Sequence, residues 1–225
     1  TGWRIYKDEK YLNALKKLGD FLILAQMPDP QPGWCQQYNF EMIPIWARKF
    51  EPPAVTGGEG QDVMLALIKI FRETGDRKYL EPLPKALAFY RKSMLADGQL
   101  ARYYELQTNK PIFMSSKYEL TYDDSDTHKR YGWKRPSRLD GIEAELKLVE
   151  SGGAAAAVPP RPPAEVQAEG QKIVASLDDQ GRWVSLHDGK KMIGGLEFKP
   201  DFRFIASAVF NHNLEVLSEF LVATK

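Results

Sequence analysis

Two stretches of the chain gather amides, charged groups and aromatic rings beside glycines and prolines. The first runs Trp34-Cys35-Gln36-Gln37-Tyr38-Asn39 and continues through Arg48 and Glu51-Pro52-Pro53 to Thr56-Gly57-Gly58-Glu59. The second runs Arg102-Tyr103-Tyr104-Glu105, passes Thr108-Asn109-Lys110-Pro111 and Lys117, and ends on Tyr122-Asp123-Asp124 and Lys129-Arg130-Tyr131. This mixture suits sugar chemistry. An aromatic ring covers the apolar face of a pyranose, while amides and guanidinium groups bond its hydroxyls and carboxylates. Any single ring is equally well read as a core residue with a polar tip. As a set, Gln36, Gln37, Asn39, Arg48 and Glu59 would all need buried partners under that reading. Asp123, Asp124 and Asp126 offer the oxygen ligands calcium requires, but without the spacing of a known loop, so a solvated acidic loop is the plainer reading. His128 and His212 stand alone and are not assigned to a metal.

Mostly helical segments must hold these residues. Tyr11, Leu12, Leu15, Leu18, Phe21, Leu22 and Leu24 recur at three- and four-residue steps. Val63, Met64, Leu67, Ile68 and Phe71 repeat the pattern, and Thr74-Gly75-Asp76 stops it. A third helix is expected from Lys78 to Met94, and two more near Ala164–Leu177 and Ala206–Val222. Each of the first long helices leads into a glycine loop and an aromatic stretch, and the arrangement recurs. Lys10-Tyr11-Leu12 matches Lys78-Tyr79-Leu80, the loop from Gly33 to Tyr38 resembles that from Gly98 to Tyr104, and Pro44-Ile45-Trp46 resembles Pro111-Ile112-Phe113. A weaker third copy runs from Ile173 to Leu177 and on through Asp179-Gln180-Gly181-Arg182-Trp183. Paired helices in repeats bury their apolar faces against neighbours. The loops Gly33–Asn39 and Gly98–Glu105 are therefore expected to open on the same end of the molecule.

The chain has 225 residues, 43% of them hydrophobic, which is a globular composition. Its net charge of +1, from 31 basic and 30 acidic residues, lacks the basic excess of a nucleic-acid binder. Apolar runs are too short to span a membrane, and the lone Cys35 excludes an internal disulfide. Ser151 to Pro163 is rich in proline, alanine and glycine, so it reads as a linker or surface crossover. The expected division is 1–150, the linker 151–163, and 164–225.

The segment from Gly33 to Trp133 resembles the pectate lyases of polysaccharide lyase family ten. Their A-W-C-A-Q-H-D pattern looks like Gly33-Trp34-Cys35-Gln36-Gln37-Tyr38-Asn39. Their A-R-x-Y-E-L-P-S-x-S-G-x-E-S looks like the stretch from Ala47 to Gly60. Their A-R-F-Y-D-L-x-T-N-R-P-F-F looks like Ala101 to Phe113. The resemblance implies a mainly α fold, an α/α-toroid of repeated helical hairpins with short β segments in the loops. The region 1–150 would then be its lyase-like part and 164–225 a further hairpin of the same toroid, cut short. It implies β-elimination on polygalacturonate with calcium, polysaccharide degradation, a secreted or periplasmic location, and a monomer whose partner is acidic polysaccharide.

The departures are specific. The family's calcium-binding Asp in an N-D-N-A stretch has no copy here, the acidic residue of Q-H-D falls on Asn39, and the catalytic Arg of G-R-D-G falls on Ser116 with Lys117 beside it. The resemblance assigns catalysis to Lys117, Arg48 and Glu59. Substrate binding falls to Gln36, Gln37, Tyr38, Asn39, Arg102, Tyr104, Asn109 and Arg130, while the candidates for calcium, Asp123 and Asp124, come from the acidic cluster and not from the family's pattern. Gln37, Arg48, Glu59, Arg102 and Lys117 are expected to converge on one concave surface. The rival readings are a non-catalytic carbohydrate-binding module that kept the cleft, and an α/α-toroid glycoside hydrolase, which needs two opposed carboxylates.

Overall fold

A computed structural model describes residues 3, 6–128, 131–152, 161–189 and 198–223. It divides into two compact units, Thr1–Ala155 and Ala156–Lys225.

In the first unit, helix α1 (Glu9–Leu24) starts where the Asp8 side chain accepts the Lys10 N–H (2.9 Å) and Glu9 faces the positive end of the helix. Gly19 lets α1 close on the ring of Tyr79, which a Cβ at that position would meet at 2.4 Å. Helix α2 (Glu59–Thr74) buries Met64, Leu67, Ile68 and Ile70 along one face and ends on Gly75, whose φ of 70° is the left-handed cap. The helix expected from Lys78 is broken. Arg77–Tyr79 forms a short 3-10 turn, and helix α3 (Leu83–Lys92) begins only after Pro82. Proline lacks the N–H a helix interior needs but fits a first turn, so Pro82 and Pro84 reset the start. Helix α4 (Leu139–Glu150) completes the group: α1 packs on α2, and both α2 and α3 pack on α4.

The extended segments do not stay isolated in loops. Strands β1 (Ala54–Thr56), β3 (Tyr103–Glu105), β4 (Pro111–Met114) and β5 (Leu120–Thr121) form one antiparallel sheet in the order β1-β3-β4-β5, while β2 (Leu100–Ala101) pairs with β6 (Lys134–Arg135). This arrangement overturns the expected mainly α, α/α-toroid architecture: helices packed on an antiparallel sheet make an α+β unit. The cause lies in residue types that the helical periodicity overshadowed. Val55-Thr56, Tyr103-Tyr104 and Ile112-Phe113 are β-branched or aromatic, and they pair with one another.

Register sorts the sheet's two faces. Val55 and Tyr104 are partners and belong to the main core with Trp34, Met64, Leu83, Tyr90 and Leu139. Ala54, Tyr103, Ile112, Met114 and Trp133 build a second, smaller core on the other face, and Phe113 joins it. The two glycine loops meet at β1, because Val55 is paired with Cys35 as well as with Tyr104. Thr56 N–H bonds Trp34 C=O (2.8 Å), and Gly57 N–H bonds Arg102 C=O (3.1 Å).

The second unit is a helical pair, α5 (Pro163–Ala175) and α6 (Ser207–Ala223), with a two-stranded ladder of β7 (Ser185–Leu186) and β8 (Arg203–Phe204). Val166, Ile173 and Val216 are its buried apolar residues, and Trp183 Nε1–H ties to the Ile173 C=O (2.9 Å).

Candidate functional site

Gly60 sets the floor of the site. A Cβ there would lie 1.8 Å from the Tyr90 hydroxyl, which donates to Thr56 C=O (3.0 Å) and accepts from Trp34 N–H (3.3 Å). Tyr90 thus ties the Trp34 loop to the start of α2 and brings Gln36 beside Glu59. Gln36 Nε2 reaches Glu59 Oε1 at 3.5 Å and the Tyr131 hydroxyl at 3.4 Å, while its own Oε1 accepts the Tyr103 hydroxyl (2.7 Å).

Tyr131 is the centre of the group. Its hydroxyl donates to Glu51 Oε1 (2.8 Å), its ring lies 3.8 Å from the Arg102 guanidinium carbon and 5.7 Å from that of Arg48. Arg48 grips Glu51 through both arms of its fork, with Nε 2.8 Å from Oε2. Arg102 Nη2 lies 3.6 Å from Glu59 Oε1. Glu59 Oε2 and Arg102 Nε are buried and have no hydrogen-bond partner among the described residues.

Arg48, Glu51 and Arg102 are held in their charged forms. The hydrogen bond from Arg48 overcomes burial and, with Tyr131 adding a second donor, holds the Glu51 carboxyl down at about 2. The same bond raises the Arg48 guanidinium above its ordinary value. For Arg102, burial pushes downward, but Glu59 and Tyr131 together outweigh it and the net shift is upward.

A groove of about 840 Å³ runs beside the group. Gln36 and Glu59 line it, with Gln37, Tyr38 and Asn39, over an apolar wall that includes Phe21, Leu22, Val63 and Ile45. Three of these polar residues also hold their own loop. Gln37 Nε2 donates to Ile45 C=O (2.7 Å), and the Tyr38 hydroxyl donates to Ala25 C=O (2.7 Å). Asn39 Oδ1 accepts the N–H groups of Glu41 and Ile43 (3.1 and 2.8 Å). Burial pushes the Cys35 thiol up to about 12, so this cysteine is a core residue without nucleophilic character.

Arg48, Glu59 and Arg102 are thus brought together through Tyr131, and Gln37 shares the groove with Glu59. Lys117 stands apart on the exposed β4–β5 turn, where its N–H bonds Ser115 Oγ (3.2 Å). Tyr104 is fully buried: its hydroxyl donates to Ser93 C=O (2.6 Å) and accepts from Ala101 N–H (2.8 Å), so it supports the sheet instead of facing a ligand. Asn109 is engaged in a turn at φ 56°, donating to Ser93 Oγ (2.8 Å). Arg130 lies outside the described residues. Asp123 and Asp124 do not fit calcium. Asp123 Oδ1 accepts the Ser125 N–H (2.9 Å), Asp124 is paired with Lys134 (2.7 Å), and no group of three potential ligand side chains assembles among the described residues. Glu51, Tyr103 and Tyr131 lie in the two polar stretches, but sequence reasoning assigned them no individual role. The i,i+3 spacing of Arg48 and Glu51 was the available signal for Glu51; Tyr131 carried none.

No protein-family model matches the chain, and comparison with curated proteins finds no match. Among solved structures, the chain is similar in fold to a family 10 polysaccharide lyase from Cellvibrio cellulosa, an alanine mutant in complex with trigalacturonic acid. The identity is 17%, the TM-score 0.51, and the match covers 65% of this chain and 52% of that one. The chain therefore spans about half the length of that structure.

Proposed function

We propose that the protein binds acidic polysaccharide along the groove, with Arg102, stacked on Tyr131, receiving uronate carboxylates while Arg48 stays on Glu51. The observation that carries this is the convergence of two guanidinium groups on one tyrosine ring beside a groove lined by amides. A guanidinium fork matches a carboxylate in shape as well as charge, and a stacked one is already oriented. Gln36 and Glu59 line the groove and supply partners for sugar hydroxyls. The fold likeness to a polysaccharide lyase holding trigalacturonic acid supports the same ligand class.

β-Elimination is the second reading, supported by that likeness. It needs a base for the weakly acidic proton beside the uronate carboxylate. Arg48 and Arg102 are held protonated and Glu51 is held ionised, so these three are not suited to take that proton. Binding is therefore placed first.

Calorimetric titration with trigalacturonate and other uronic-acid oligomers tests the binding, and ultraviolet absorbance of unsaturated products tests elimination. Arg102→Lys keeps the charge but loses the planar contact with Tyr131, and it is expected to weaken binding about tenfold, or about 1.4 kcal/mol. Absence of binding to every uronate oligomer would refute the proposal. Product formation by wild type would promote the second reading.

A further inference from the structure

We propose a second saccharide site, taking neutral hexopyranose units, in the pocket between the loop after α3, strand β4 and the segment after β5. The cavity measures about 680 Å³, within the range of small-ligand pockets. None of the residues of the group centred on Tyr131 lines it. Pro111 and Phe113 line it, and along β4 they alternate with Ile112, the register partner of Tyr103. The pocket shares no lining residue with the groove, and its buried Phe113 also packs in the smaller core with Tyr103.

Its chemistry differs as well. Pro111 and Phe113 give an apolar floor, and Tyr122 stands over it with 57% of its surface exposed. The Tyr122 hydroxyl is anchored on Glu105 Oε1 (2.8 Å), which fixes the ring before any ligand arrives. A fixed, exposed ring above an apolar floor is the surface a pyranose face covers. Lys134 Nζ lies 2.7 Å from Asp124 Oδ2 and 3.3 Å from Asp97 Oδ2. This ammonium occupies the position between two carboxylates that a metal ion would need, and it holds both in place. A carboxylate offers about four lone-pair sites, so both aspartates keep acceptor capacity for sugar hydroxyls. Lys110 and Lys134 line the cavity with Asp97 and Asp124, so its charges balance and it suits a neutral diol, with Lys110 at the edge of the Tyr122 ring. The inference does not depend on acidic polysaccharide binding at the groove.

The test is calorimetric titration of the full chain with the β-1,4-linked hexaoses of glucose, mannose and galactose, each with and without saturating trigalacturonate. At least one hexaose is expected to bind in the millimolar range or tighter, undiminished by trigalacturonate and unchanged in Arg102→Lys. Tyr122→Ala should weaken that binding about tenfold by removing the aromatic contact, whereas Tyr122→Phe, which keeps the ring, should stay within about threefold of wild type. Circular dichroism of each variant confirms the fold, and Asp124→Asn, which keeps the shape and drops the charge, serves should Tyr122→Ala fail to fold, with weaker binding expected. Absence of binding by all three hexaoses, competition by trigalacturonate, or wild-type affinity in both Tyr122→Ala and Asp124→Asn overturns the assignment.

Discussion

Glu51 is the residue on which the site's charge arrangement turns, and it carries a pH prediction. Its carboxyl sits at about 2 in the folded chain against an ordinary 4.5. A depressed folded value means the stabilisation is present above about pH 4.5 and is lost as pH falls through about 2. Its partner Arg48 has a side chain 62% exposed, so solvent screens the pair and the full shift is not recovered as stability. Glu51→Gln is expected to cost about 1–3 kcal/mol near neutral pH, and that penalty should shrink toward zero in strong acid. Urea unfolding of both proteins at neutral pH and in strong acid measures it, and an equal penalty under the two conditions would contradict the assignment. The residue types in the two polar stretches already pointed to Arg48, Glu59 and Arg102, because charged groups among aromatics need a reason to be there. Tyr131 was not legible, since its role comes from lying against residues 80 positions or more upstream in Glu51 and Arg48. Lys117 was chosen by sequence adjacency to Ser116, and a turn of the chain places it on an exposed hairpin tip.

At the scale of elements, two glycines make opposite predictions. Gly60→Ala would drive a methyl into the Tyr90 hydroxyl at 1.8 Å, and Tyr90 is fully buried with its hydrogen bonds spent on Trp34 and Thr56. The expected loss is about 2–3 kcal/mol, together with displacement of Glu59 from Gln36. Gly141 sits in exposed α4 with nothing within 4 Å of its would-be Cβ, so Gly141→Ala should stabilise by about 0.5–1 kcal/mol through helix propensity. Denaturant unfolding of the pair checks both, and a Gly60→Ala protein as stable as wild type would mean the Tyr90 tie is slack. Helices α1, α2, α5 and α6 were legible to within a few residues, α3 starts later than expected, and α4 was not expected at all. The sheet was not legible, because strands of two to four residues carry too little alternation to register against long helical patterns. Part of the repeat is real at the level of turns. Leu95 N–H bonds Gln99 C=O and Gly98 N–H bonds Leu95 C=O, and the same pair of bonds joins Asp178 with Arg182 and Gly181 with Asp178. Gly98 and Gly181 have φ of 77° and 71°, and in each turn an aspartate, Asp97 or Asp178, accepts the N–H of Gln99 or Gln180. Matching turns do not make matching hairpins, and closing the repeats into a ring read more into the loops than they hold.

The whole molecule is two units of unequal strength. The first unit has two apolar clusters and every described residue of both candidate sites. Among its described residues the second unit buries Val166, Ile173 and Val216, and a helical pair held by so few apolar contacts is marginal. The near balance of 31 basic and 30 acidic residues hides this division, since composition averages over both units. The weak point of the second unit is Gly170, where α5 meets α6: a Cβ at that position would lie 2.8 Å from the ring of Phe220. Gly170→Leu adds several carbons at this contact and is expected to cost about 3 kcal/mol or more, enough to unfold a marginal helical pair at room temperature. Because the units have separate cores, the first unit should keep its own unfolding transition and its affinity for trigalacturonate. Calorimetric scanning of the full-length variant, followed by titration with the same ligand, measures both. A single transition shifted as a whole would show that the two units unfold as one, and loss of trigalacturonate binding would place part of the site's support beyond residue 155.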